Sequence, residues 1–99
     1  MGGLEKVRYS VVPTSRFKKE YKRAIKRGQN VKKLHAVVDL LVKGEVLPEY
    51  LCDHELKGKW KGHRELHIEN DWLLIYQKKD NILVLELTRT GSHADLFQR

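Results

Sequence analysis

Between residues 62 and 69 the side chains alternate strictly. His63, Glu65, His67 and Glu69 fall on one side, and Arg64, Leu66 and Ile68 fall on the other. A two-residue period is that of an extended strand, whose successive Cβ atoms point to opposite faces. Asn70-Asp71 is a turn pair. Residues 72–77 and 82–88 are two further β-rich runs, separated by the turn Lys78-Lys79-Asp80-Asn81. Three successive strands with short connections fold as an antiparallel meander. Such a sheet needs at least one face covered, and the rest of the chain must supply the cover.

The upstream sequence is built for that. Residues 7–12 predict a short strand stopped by Pro13, and Thr14 or Ser15 can cap a helix after it. Phe17, Tyr21, Ala24 and Ile25 share one face of that helix, and Gly28 supplies a left-handed stop. Asn30 can cap a second helix with Leu34, Val37, Val38 and Leu41 as its apolar stripe, and Gly44 ends it. Two amphipathic helices joined by a tight turn form a helical hairpin. Residues 45–60 read as loop, broken by Pro48 and Gly58. The expectation is an α+β chain: one N-terminal strand, a two-helix hairpin, then a three-stranded meander. All belong to one twisted sheet with helices on one face and the other face free. With 99 residues and no repeat or linker, residues 1–99 read as a single domain.

Charge and cysteine content narrow the function. The net charge is +7 and unevenly placed: eleven basic residues against Glu5 and Glu20 put +9 on residues 1–33, leaving −2 on the remainder. Arg16, Lys19, Lys22, Arg23 and Lys26 lie largely off the apolar stripe of the first helix, a cationic surface for a polyanion or an acidic partner. No apolar run approaches the length of a membrane span, and the N-terminus lacks the apolar core of a signal peptide. The single cysteine, Cys52, excludes an internal disulfide, suits a reducing cytoplasm and reads as a small buried filler.

The unusual feature is the row of histidines and acids on the solvent side of the 62–69 strand. His54 lies in the loop before it, Asp71 and Trp72 follow it directly, and His93 lies in the tail after the last strand. Three of the four histidines 54, 63, 67 and 93 can therefore meet on one open sheet face. Histidine gains and loses a proton near neutral pH. Cleavage of RNA through its 2′-hydroxyl needs a base, an acid for the leaving oxygen, and a cation for the charge on phosphorus. Paired histidines with a carboxylate serve the first two. Arg64 faces inward by alternation, which leaves Lys57, Lys59, Lys61 and Arg89 for the third. A metal site fits poorly, since His63 and His67 are about 13 Å apart on a strand and no HExxH or CxxC pattern occurs. His35 lies off the apolar stripe and reads as a surface residue. Trp60, Trp72 and Phe97 suit packing or base stacking alike.

The stretch from Asp53-His54-Glu55-Leu56-Lys57-Gly58-Lys59-Trp60 through Arg64-Glu65-Leu66-His67 to Asp71-Trp72 resembles the core of YafQ-type toxins. So does Gly91-Ser92-His93-Ala94-Asp95-Leu96-Phe97 at the end. These toxins belong to the RelE/ParE superfamily of type II toxin–antitoxin systems, and the resemblance covers nearly the whole chain. It implies a RelE-like fold and a ribosome-dependent mRNA endonuclease. Such an enzyme cuts A-site message by metal-independent 2′-OH attack, with no cofactor. It further implies catalytic roles for His54, His67, Asp71 and His93, and supporting roles for Glu65, Trp72, Phe97 and Arg89. In this assignment His93 is the acid or transition-state stabiliser, His54 or His67 the base, and Asp71 an orienting group. Arg16, Lys19, Lys22, Arg23, Lys26, Lys57, Lys59 and Lys61 are the residues expected to meet RNA. The implied partners are the 70S ribosome and a DinJ/RelB-like DNA-binding antitoxin, with no membrane. Position 63, usually aromatic in these toxins, is His63 here and stays outside the assignment. Two rivals share the fold: a non-enzymatic ParE-like gyrase poison, and a plain RNA-binding module.

Overall fold

The structure, a computed structural model, describes residues 8–97. Five strands form one sheet in the order β1-β5-β4-β3-β2, with β1 Ser10–Pro13, β2 His54–Glu55, β3 Arg64–Glu69, β4 Trp72–Lys79 and β5 Val84–Gly91. The helices are α1 Ser15–Lys26, α2 Val31–Lys43 and the short α3 His93–Phe97. The expected antiparallel meander is β3-β4-β5. β1 adds to it in parallel beside β5, which the two-helix crossover permits.

The capping residues act as their types dictate. Thr14 caps α1 by accepting from Phe17 N, and Asn30 caps α2 by accepting from Lys32 N. Gly28 and Gly44 take the positive φ that ends each helix. The core lies between the helices and one sheet face: Phe17, Ala24, Leu34, Val37 and Leu41 pack on Leu66, Ile68, Trp72, Leu74, Tyr76, Leu85 and Leu87.

Several local expectations shift. The first strand runs through Pro13 instead of stopping before it, because β1 is an edge and a proline there breaks no ladder. Its predicted start, Val7, lies outside the described residues. The β4–β5 turn falls at 80–83, two residues late, because Leu83 adopts a left-handed φ of 52° and exposes Ile82. The 45–60 loop holds two 3-10 turns, Glu49–Leu51 and Gly58–Trp60, and the two-residue strand β2. The tail forms α3. Cys52 is exposed, not buried. The two helices touch through Tyr21 and His35, and an apolar groove of about 710 Å³ beside that contact is lined by Ile25, Val38 and Val42 among others. Ile25, assigned to the apolar stripe, is accordingly exposed.

Glu20 is the reverse case, a charged residue that is buried. Beyond Leu87, β5 has no β1 partner, and α1 crosses this bare edge. The Thr14 hydroxyl donates to Thr88 O. Glu20 accepts from Thr90 N at 3.0 Å and from the Arg89 guanidinium at 2.7–2.8 Å. The Glu20 and Arg89 side chains keep only 5% and 13% of their surface exposed. A carboxylate in this position satisfies a buried N–H and a buried cation together. Replacing Glu20 with Ala should cost about 3–5 kcal/mol in urea denaturation by leaving both unpaired. A loss under about 1 kcal/mol would mean that the edge is wet.

Candidate functional site

The pleat of the sheet assembles the site. Residues paired across strands point to the same side, so the register defines rows. His54 pairs Glu65, Glu65 pairs Ile75 and Ile75 pairs Arg89, which makes one row. Two residues along β3, His67 pairs Leu73 and Leu73 pairs Gly91, which makes the next. Rows two residues apart lie about 6–7 Å apart on one face. His54, Glu65, His67 and Arg89 therefore share the face opposite the main core. That face is only partly free: Leu73, Ile75 and Leu96 form a second small core with Leu56, Trp60 and Phe97 against them. The 56–60 segment and α3 thus wall the site, and the histidines occupy what remains open.

His93 stands at the start of α3. Its ring Nδ1 lies 2.6 Å from Asp71 Oδ1, and its backbone N donates to the same oxygen at 2.9 Å. An ionised carboxylate only accepts, so Nδ1 carries the hydrogen and Nε2 is left for proton exchange. The backbone and ring donors of His93 hold the Asp71 carboxyl below the usual carboxylate range. The His67 ring sits edge-on to the His93 ring, with centroids 5.8 Å apart.

His54 is fixed differently. Its Nδ1 lies 2.9 Å from Cys52 O, a carbonyl that can only accept, so here too Nε2 is the free nitrogen. It lies 3.3 Å from Glu65 Oε1, while Glu65 Oε2 is buried without a partner. The segment before His54 is anchored by Asp53, which accepts from Tyr76 OH at 2.5 Å and Arg64 Nε at 2.9 Å. Burial, then the bond to Asp53, pushes the Tyr76 hydroxyl well up, so it stays a donor across the physiological range. Arg64 faces this inner side as the alternation predicts. Asp53 opens the family-like stretch but carries no assigned role from the sequence, and Tyr76 reads there as an ordinary core aromatic.

The remaining candidates divide. Phe97 lines a polar cleft of about 530 Å³ with Arg16, Lys59, Trp60, Arg89 and Asp95. Arg89 reaches that cleft but is bound to Glu20, so it is a held cation and not a mobile one. Lys57, Lys59 and Lys61 are exposed beside the site, and Lys19, Lys22 and Lys26 are exposed along α1. Arg16 and Arg23 are exposed too but lie within 4 Å of Glu20 and Asp95 respectively. Trp72 is in the main core, on the other face. Its indole N–H donates to the Thr90 hydroxyl, which bonds Leu73 O. It supports the site from behind and cannot stack on a base. His63 lies just before β3 and packs edge-on against Trp60. His35 stacks on Tyr21 and lines the groove between the helices. Among the described residues, no three His, Cys, Asp or Glu side chains are grouped as a metal would require.

Carboxyl NMR should find Asp71 titrating below the ordinary value near 4. Its share of stability is then present above the unfolded value and lost as pH falls through the folded one. His93→Ala should return it towards that ordinary value. An Asp71 already ordinary in the parent protein would break the assigned pair.

The model of the family described as "Bacterial toxin of type II toxin-antitoxin system, YafQ" matches residues 9–98. The mRNA interferase toxin YafQ of Escherichia coli K12 is 42% identical over 85 residues, spanning 85% of this chain and 90% of that protein. The toxin in the E. coli DinJ–YafQ toxin–antitoxin complex is 38% identical with a TM-score of 0.84, covering 92% of this chain and 99% of that one. A metal-bound toxin from Helicobacter pylori is 38% identical with a TM-score of 0.85, covering 90% of this chain and 99% of that one.

Proposed function

The chain belongs to the YafQ family of bacterial toxins of type II toxin–antitoxin systems, and from that membership we propose that it is an mRNA interferase acting on message in the ribosomal A site. The observation that carries the chemistry is the Asp71–His93–His67 cluster, with His54 one row away on the same sheet face. Asp71 presets His93 with Nε2 outward, the geometry of a general acid for the 5′-oxygen leaving group. His67 or His54 takes the 2′-hydroxyl proton, and Glu65 faces the ring of His54 when it carries both protons. Attack of the 2′-oxygen on phosphorus then expels the 5′-oxygen. The new ends are a 2′,3′-cyclic phosphate and a 5′-hydroxyl, and the chain's own side chains move both protons. Arg89, held by Glu20, and Lys59 supply positive charge beside the cleft.

Contact with the ribosome suits the exposed cations of α1 and the 57–61 segment, which address phosphates without reading sequence. The same cationic surface suits an acidic antitoxin segment, and a DinJ-like protein is the partner proposed from the E. coli complex. No helix among the described residues is long and apolar enough to cross a membrane. The cytoplasm, where translation occurs, is the proposed place of action. A gyrase poison has no use for four groups arranged to exchange protons, so the nuclease reading is preferred to it.

In a reconstituted translation system, cut message should carry 2′,3′-cyclic or 3′-phosphate and 5′-hydroxyl ends. Ends of the opposite kind, 3′-hydroxyl and 5′-phosphate, would point to activated water and rule the scheme out. His93→Gln should slow cleavage by about 10²–10⁴-fold, the usual worth of a positioned acid. A His93→Gln protein that cuts at the parent rate would move the acid role elsewhere.

A further inference from the structure

α3 has five residues, too few to hold a helix by its own hydrogen bonds. Yet it carries His93 at one end and Phe97 at the other. What fixes it is Asp95. Its Oδ2 accepts from Ser92 N at 2.9 Å, while its own N donates to Ser92 Oγ at 3.1 Å, a reciprocal cap on the turn that begins at His93. The same carboxylate takes Arg27 Nη1 at 2.8 Å and lies 3.9 Å from Arg23 Nη2, both at the far end of α1. The bond from Arg27 comes first among the causes that hold Asp95 well below the usual carboxylate range. Asp95 also sits hard against the end of β5, where a Cβ on Gly91 would come within 2.9 Å of the Asp95 Cβ. A glycine there is what lets the carboxylate reach both its cap and its arginine.

We infer that the Arg27–Asp95 ion pair is a positioning device for the cleavage reaction: it clamps α3 to α1 so that His93 meets Asp71 and Phe97 lines the cleft. Both act through other residues: Arg27 through Asp95, and Asp95 through Ser92 and the α3 turn. The linkage runs from the α1 C-terminus through Asp95 to Ser92, then to the His93 backbone N–H and ring, both of which end on Asp71 Oδ1. A rotation of α3 displaces both donors at once. Arg27 is thereby engaged by an acid of its own chain, with Arg23 beside it, at the protein surface. A contrary role, binding RNA phosphates, predicts the opposite response to loss of Asp95, which would free both cations.

The inference rests on the nuclease reading above, and the test separates the two. Asp95→Ala, Arg27→Ala and Arg27→Lys are compared with the parent protein. One assay measures affinity for programmed ribosomes and the single-turnover cutting rate at saturation. The other measures Asp71 carboxyl titration and His93 amide exchange by NMR on the free protein. Positioning requires that both alanine variants cut on the order of 10- to 100-fold more slowly with ribosome affinity unchanged. Asp71 should then titrate nearer its ordinary value and the His93 amide should exchange faster, while Arg27→Lys recovers part of both. Should Asp95→Ala fail to fold, Arg27→Ala, which lies outside α3, carries the same expectations. The inference is overturned if Arg27→Ala weakens ribosome binding but cuts normally at saturation, or if Asp95→Ala binds ribosomes more tightly with its rate intact. A parent protein that leaves ribosome-bound message uncut defeats the nuclease reading alone, and the two NMR measurements then decide the clamp.

Discussion

The register of β3 against its two neighbours is the constraint on which the site depends. A shift of one residue in either pairing would send Glu65 and His67 to the helix-covered face and bring Leu66 and Ile68 out. The main core resists that shift, because Leu66 and Ile68 are buried under α2 and packed with Trp72 and Leu74. The bulge between His67 and Glu69 is absorbed next to the turn, where it places Asp71 beside α3 without disturbing the rows. Hydrophobic packing on one side of the sheet thus aims His54, Glu65 and His67 on the other.

Around that register the polar groups work as holders. Asp53, Asp71 and Asp95 each hold another protein group: Asp53 holds Tyr76 and Arg64, Asp71 holds His93, and Asp95 holds Ser92 and Arg27. Glu20 does the same for Arg89 and Thr90. A chain this small has little interior with which to stiffen its loops. Charged hydrogen bonds from four different segments replace the missing packing, each about twice as strong as its neutral counterpart. The strong positive excess of the first third is correspondingly reduced, since Arg23 and Arg27 lie against Asp95 of the C-terminal helix.

Local rules carried the reading of the fold a long way. Thr14 and Asn30 cap, Gly28 and Gly44 stop, and the alternation over 62–69 becomes a strand with the predicted inward Leu66 and Ile68. His67 lies on the face that the alternation implies, and β2 and α3 bring His54 and His93 beside it. What was illegible depends on partners distant in sequence. Glu20 reads as the odd acid in a basic helix until Thr90, 70 positions away, supplies its donor. β2 is two residues long and exists only because β3 accepts it. α3 has no periodicity to detect and is held from outside. Trp72 could stack or pack by its type alone, and the parity of the β3–β4 turn decides for packing.

The parallel pairing of β1 with β5 has a consequence for the order of synthesis. Ser10 meets Val84, and α1 finds the partner of Glu20 only at Thr90. During translation the helices and the first strand emerge early, but they wait on the final strand for their neighbours. Non-local contacts of this kind delay closure until most of the chain is free. The histidine face is closed only when both distant ends have met, since the Asp71–His93 pair joins the β3–β4 turn to α3 and Asp95 joins α3 to the end of α1.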